Sequence, residues 1–523
     1  MHIVLVHGWS VFDTATYGEL PDRLLSESKA GRLKNVTIQN VSLSQYVSFR
    51  DEVRVSDLAA GFEAAFRREI EPKLKGERFA CITHSTGGPV IRHWWWRMYQ
   101  EANRPCPMSH LIMLAPANFG SALAQLGKSR LSRLRSWLKA VEPGQGILDW
   151  LEHGSDESWE LNRDWILGSA KMSTVADIDP PVYPFVLTGQ SIDRTLYDHL
   201  NSYTGESGSD GTVRCAAANL NATYLKLKQR VTSANVQHLL SQLPQDGEST
   251  DLDNCQWEEL LQVEEHVESM RVAFRLIRGA THVGSEDGIL FSVQDNGKKN
   301  ETVDSIIQCL NVDSPNTYEK LCDAFSAETA DIREKERVER AKGWCTQPNI
   351  FHDAHSLVIL RFRDHTGQTL TQLDFKLLGP NDDPNRLPAN FLEDRQMNQA
   401  NKSTLTFFIN YDVMNGLGET TYRKQVVREA LKGISKLGMR IYAQPLNGIV
   451  RYYPGIMQAT KQVFGQVLRP DQTTLIDVEF KRLIGRGAFE LVSLDGHPKF
   501  EKGKARQDFR KQQFGGAINP DDV

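Results

Sequence analysis

Residues 83–88 read Thr-His-Ser-Thr-Gly-Gly and follow the apolar run Phe79-Ala80-Cys81-Ile82. A serine between a strand end and a helix start, with small residues after it, has the pattern of a nucleophile elbow. The sharp turn lifts the hydroxyl clear of the sheet, so Ser85 is placed to attack a carbonyl carbon. The backbone N–H of Thr86, at the helix N-terminus, faces the oxyanion that such an attack creates. Gly87 and Gly88 let helix and strand pack closely behind the turn. The usual motif, G-x-S-x-G, has glycine where this chain has Thr83, a β-branched residue that must fit a crowded turn.

A serine of this kind needs a base and an acid, which in open parallel sheets lie beyond the C-terminal ends of strands. The run Pro184-Phe185-Val186-Leu187-Thr188-Gly189 reads as a buried strand, and the loop 205–213 after it, rich in small residues, carries Asp210. Residues 272–277 read as another strand and lead into Thr281-His282-Val283-Gly284. Ser85 is expected to attack, His282 to take and return the proton, and Asp210 to orient the imidazole. Asp193 is a second candidate for the acid; Ser-Asp-Gly-x-Val favours Asp210. Singly, Asp210 reads as a turn cap and His282 as a loop histidine; their order and their strand ends make them a set. At the start of the chain, the strand-like Ile3-Val4-Leu5-Val6 runs into His7-Gly8-Trp9. Gly8 permits a turn that aims the Trp9 N–H at the same space as that of Thr86.

With His7-Gly8-Trp9, His84-Ser85-Thr86-Gly87-Gly88, Ala115-Pro116-Ala117-Asn118-Phe119-Gly120-Ser121, Ser209-Asp210-Gly211-Thr212-Val213 and Thr281-His282-Val283-Gly284, residues 1–315 resemble the α/β-hydrolase superfamily. Within it they are most similar to the bacterial lipase and lecithin:cholesterol acyltransferase-like branch. The resemblance implies an α/β fold with a mainly parallel sheet, a catalytic triad of Ser85, Asp210 and His282, and an oxyanion hole from Trp9 and Thr86. It also implies hydrolysis of carboxylic esters through an acyl-enzyme, on a lipid or other acyl-ester substrate, with no cofactor and no metal. Fold does not settle substrate. A thioesterase, amidase or acyltransferase uses the same machinery, and Thr83 leaves open a weak hydrolase scaffold that serves as a binding protein.

The elements that must position these residues are legible as patterns. Residues 1–118 alternate strand and helix signals, as a parallel sheet covered by helices requires. Residues 119–180 interrupt that rhythm and are expected to form a helical cap over Ser85. Leu123, Leu126, Leu131, Leu134 and Leu138 would line one side of a first helix, with Lys128, Arg130, Arg133, Arg135 and Lys139 opposite. A second apolar segment carries Trp150, Trp159 and Trp165. Trp94-Trp95-Trp96 point three ways on a helix and are expected mostly in the core. Residues 216–270 read as an excursion with helices near 236–243 and 257–267, and residues 328–342 as a solvated helical linker. From about 347 strands dominate, near 356–362, 371–378, 404–410, 440–443, 475–480 and 489–493, predicting a β-sandwich. The expected division is a catalytic domain over 1–325, a linker over 326–346 and the sandwich over 347–523. The sandwich ends in a basic tail that includes Lys499, Lys504 and Arg510.

A net charge of −5 argues against nucleic-acid binding. Seven scattered cysteines without a C-x-x-C pair suit a reducing compartment. No stretch of about 18 apolar residues is present, and Met1 opens directly into strand-like sequence. A cytoplasmic enzyme is expected, with signal-independent export left open. Expected partners are the lipid or acyl-ester substrate, a membrane surface met transiently through the cap and the C-terminal unit, and a regulatory or inhibitory protein.

Overall fold

The computed structural model describes residues 1–6, 17–41, 52–124, 144–192, 207–230, 261–283, 287–340, 349–445 and 450–484. The expected basic helix of 123–141, apart from its first two residues, the helix near 236–243, the strand near 489–493 and the C-terminal tail lie outside these residues. The first eight strands are β1 (His2–Val6), β2 (Thr37–Val41), β3 (Phe79–His84), β4 (Met108–Leu114), β5 (Tyr183–Thr188), β6 (Ala222–Gln229), β7 (Leu261–Glu268) and β8 (Ala273–Leu276). Six of them, in the order β2-β1-β3-β4-β5-β8, form a sheet in which every pairing is parallel. Every residue of β3 and β5 is buried, as in a sheet covered on both faces. This is the mainly parallel α/β-hydrolase sheet expected from the sequence.

The elbow helix, Gly87–Trp95, brings the tryptophan triplet into the core, where all three rings are buried. Trp94 meets Phe62 edge-on at 5.0 Å and donates to Glu63 at 2.6 Å. Trp95 and Trp96 pack on Trp165 at 5.8 and 5.0 Å. Trp165 belongs to the helix Asp156–Met172, which also touches β6 and β7. The apolar face of this part of the insertion therefore fills the space between the elbow helix and a second sheet.

The second sheet contains elements the sequence reading assigned to the catalytic unit. After a hairpin of β9 (Val338–Arg340) and β10 (Asn349–Phe351) come β11 (His355–Asp364), β12 (Leu373–Leu378), β13 (Leu392–Met397) and β14 (Thr404–Asn410). A hairpin of β15 (Thr420–Tyr422) and β16 (Gln425–Arg428) follows. Then come β17 (Lys436–Ala443), β18 (Val450–Arg451), β19 (Gly455–Thr460) and β20 (Thr473–Phe480). The order is β13-β14-β11-β20-β6-β7, with β20 parallel to both β11 and β6. Strands β6 and β7 thus complete the C-terminal sheet. The helix expected over 257–267 is instead, from Leu261 on, the strand β7, which among the described strands is an edge bonded only to β6. An edge strand exposes its polar positions, and Gln262 to His266 are all exposed, which mimics a solvated helix in the sequence.

The central strands of this sheet are buried on both faces. Leu357, Ile359 and Leu475 join the core of the first sheet. Their neighbours Val358, Leu360 and Ile476 join a second core beneath the small antiparallel sheet β12-β17-β19. Successive strand residues point to opposite faces, so one strand serves two cores. The linker expected over 328–342 is also different. A continuous helix, Pro315–Lys335, buries Tyr318, Cys322, Phe325 and Ile332 against β8, and Arg333 pairs with Asp471 of the C-terminal part. Among the described residues no helix is long and apolar enough to cross a membrane.

Two buried histidines make this packing pH-sensitive. Burial pushes His110, bonded to Val312 O at 2.8 Å, down to about 4, and His153, bonded to Phe119 O at 2.8 Å, down to about 3. Both stay neutral in the fold, while the unfolded chain takes up protons below its ordinary value of about 6.5. Stability is therefore complete above that value and falls as pH drops toward 4, by at most about 1.4 kcal/mol per pH unit for each group. Thermal melts at pH 7.5 and 5 should show a lower Tm at pH 5, and His153→Gln should flatten the dependence.

Candidate active site

Ser85 follows β3 directly, and the helix Gly87–Trp95 begins two residues later. Its backbone is left-handed, with φ at 53°, a strained state for a non-glycine residue. Three backbone bonds hold it: Ser85 N–H donates to Leu114 O at 3.0 Å, and Ser85 O accepts from Gly88 at 3.1 Å and Ala117 at 3.4 Å. A Cβ at Gly88 would stand 2.7 Å from Pro116 Cβ, which explains glycine there. Thr83 fits because it remains part of the strand, fully buried and paired with Val6 and Met113. Extended backbone suits a β-branched side chain, and the left-handed turn begins only at Ser85.

His282 lies beyond β8 and Asp210 beyond β5, and the structure brings both to Ser85. His282 Nε2 is 3.1 Å from Ser85 Oγ, and His282 Nδ1 is 2.8 Å from Asp210 Oδ2. The second carboxylate oxygen of Asp210 accepts from the N–H groups of Thr212 and Val213 at 3.0 and 2.8 Å. The His282 N–H donates to Asp210 O at 3.0 Å, so backbone as well as side chain ties base to acid. Asp210 and His282 are both buried, whereas Ser85 is half-exposed. With the carboxylate on Nδ1, the imidazole holds its proton there and leaves Nε2 to accept from the hydroxyl. Thr86 sits at the helix N-terminus beside Ser85. Trp9 and the rival acid Asp193 lie outside the described residues. Among the described residues no cluster of side chains suited to a metal ion is found.

The acid loop is held from two sides. The loop 115–121 is laced to the short helix Cys215–Ala218 and the acid loop. Asn118 donates to Ala218 O at 2.7 Å, Phe119 N–H to Ala217 O at 2.9 Å, and Ser121 to Thr212 O at 2.6 Å. On its other side the acid loop sits on the second sheet. Arg214 is buried, pairs with Asp394 of β13 and lies over the Phe408 ring at 4.2 Å. Gly208, with φ at 75°, leaves no room for a side chain, since a Cβ would meet His355 Nδ1 at 2.5 Å. Asp394 lies 180 residues from Arg214 in sequence and Phe408 lies further still, so no local pattern announces them.

Removing one partner of a buried ion pair is destabilising. Asp394→Ala should lower the urea unfolding midpoint, and the double variant Arg214→Met/Asp394→Leu should recover part of that loss.

No family model matches the chain, and no curated protein matches it by sequence. Among solved structures, phospholipase PlaB from Legionella pneumophila is 38% identical, with a TM-score of 0.79 over 95% of this chain and 97% of that one. The same phospholipase in complex with thio-NAD is 37% identical, with a TM-score of 0.78 over 96% and 98%. The likeness runs through both sheets, because so nearly the whole of each chain is covered. On that ground, this chain belongs to the PlaB phospholipase family.

Proposed function

We propose that the protein is a serine hydrolase that cleaves carboxylic esters of lipids, a phospholipase or lipase, through an acyl-enzyme on Ser85. The observation that carries this reading is the relay Ser85–His282–Asp210, at 3.1 and 2.8 Å, on a serine held in a left-handed turn. The lipid substrate is supported by the family, a solved member of which is a phospholipase.

His282 Nε2 takes the hydroxyl proton as Ser85 Oγ attacks the acyl carbonyl. Asp210 stays ionised and stabilises the imidazolium, its plane fixed by the Thr212 and Val213 N–H donors. The oxyanion is received by the N–H groups of Thr86 and Trp9. Collapse breaks the ester bond, and His282 returns its proton to the departing alcohol. Water then enters, gives a proton to His282 and attacks the acyl carbon. The second collapse restores Ser85 and releases the carboxylic acid.

Two subsidiary readings accompany this. A reducing, cytoplasmic setting is supported by Cys81, Cys106, Cys215, Cys309 and Cys322, all unpaired and buried. The basic run from Lys128 to Lys139 would meet anionic lipid headgroups, so liposome binding should weaken as salt rises.

The test is incubation with mixed phospholipids and triglycerides, with products identified by mass. Ser85→Ala should lower release of fatty acid by ~10³-fold or more, and Asp210→Asn by ~10³–10⁴-fold. A fluorophosphonate should label Ser85 in the parent protein alone. A Ser85→Ala protein that hydrolyses acyl esters at the parent rate would refute the proposal.

A further inference from the structure

The two sheets of the C-terminal part do not close completely on one another. Between them lies a cavity of about 110 Å³. Leu225, Leu360 and Phe407 line it from the six-stranded sheet, Met439 and Met457 from the small sheet, and Phe464 from the helix Lys461–Val467. Every lining side chain is apolar. Protein interiors are otherwise close-packed, and a void deprives its lining of contacts on one side. A space of this composition accepts apolar guests.

On the same measure one water takes about 10–15 Å³, so the space holds a run of methylene groups. It suits one hydrocarbon chain rather than the two of a diacyl lipid. The lining offers no partner for a carboxylate or phosphate, so a chain enters methyl end first and leaves its polar end in water. Methionine supplies adaptable walls on one side. Two of the lining residues reach the surface: Val263, on the edge strand β7, is 47% exposed, and Val463, on the facing helix, is 45% exposed. Apolar residues held at the water boundary mark the mouth. The cavity is separate from Ser85. It belongs to the core on the far face of β11, whereas the catalytic sheet contacts the near face.

We propose that this cavity binds the hydrocarbon chain of a single-chain lipid, a free fatty acid. The choice of a fatty acid over other single-chain lipids rests on the reading of the protein as an acyl-ester hydrolase, since a fatty acid is then its product. The chain-binding character of the cavity does not depend on that reading.

Palmitic acid carrying a mid-chain diazirine, photolysed with full-length Ser85→Ala protein, should form about one adduct per chain, mapped by mass within residues 437–468. Unlabelled palmitic acid in excess should suppress it. Met457→Trp fills the cavity and Val263→Asp charges its mouth, and each should lower adduct yield by about fivefold or more. Val263 is exposed, so melts of Val263→Asp should overlay those of Ser85→Ala, which separates lost binding from lost folding. Adducts found only elsewhere, no adducts, or unchanged yield in both variants would overturn the inference. Labelling by lysophosphatidylcholine with the same photogroup, without labelling by palmitic acid, would overturn the fatty-acid assignment. Ester hydrolysis is scored separately by comparing the parent with Ser85→Ala, so either reading can fail without the other.

Discussion

The buried ion pair between Arg214 and Asp394 sets the architecture of the site. It pins the loop that carries Asp210 to a sheet formed largely by the C-terminal half of the chain. Such a pair contributes little net stability, because both charges are desolvated, but it brings the two surfaces together at one defined point. Arg214 is four residues beyond Asp210, and the Thr212 and Val213 N–H groups that orient the carboxylate lie between them. The position of the acid relative to His282 is therefore inherited from the docking of two sheets. Gly208 against His355 and Arg214 over Phe408 enforce the same docking at neighbouring points.

That docking makes the C-terminal part something other than an appended module. Its central strand β11 is buried on both faces, with Leu357 and Ile359 in one core and Val358 and Leu360 in the other. Strands β6 and β7, from between the acid and the base in sequence, complete its sheet. The helix Asp156–Met172 fills the remaining gap, with Trp165 against Trp95 and Trp96. A covering sheet of this kind stiffens the acid loop from behind and leaves Ser85 as the half-exposed member of the relay. Its far face is free to hold a second, wholly apolar space.

Much of the site was legible in the sequence because its requirements are local. A strand–serine–helix turn must have small residues where helix and strand meet, and Gly88 against Pro116 shows the contact responsible. Asp210 and His282 could be sought by chain order, since a parallel sheet presents the C-terminal ends of its strands on one side. Thr83 looked like a conflict because the motif was read as all turn. Its extended backbone inside β3 removes the conflict. The errors came where burial depends on distant partners. The polar residues of β7 read as helix and residues 328–342 as a solvated helical linker, yet the first form a sheet edge and the second begins within the helix Pro315–Lys335, where Ile332 is buried.

By itself the sequence determined the parallel sheet and the strand–turn–helix around Ser85, and it singled out Asp210 and His282, which the structure places within hydrogen-bond distance of one another and of Ser85. Periodicity and turn chemistry act over a few residues and are written in order along the chain. Only the tertiary structure decided that β6 and β7 belong to the C-terminal sheet, that one strand serves two cores, and that Arg214, Asp394 and His355 hold the acid loop. Those outcomes depend on contacts between segments as far as 253 residues apart, as Tyr224 and Asp477 are, whose value appears only when both surfaces are folded.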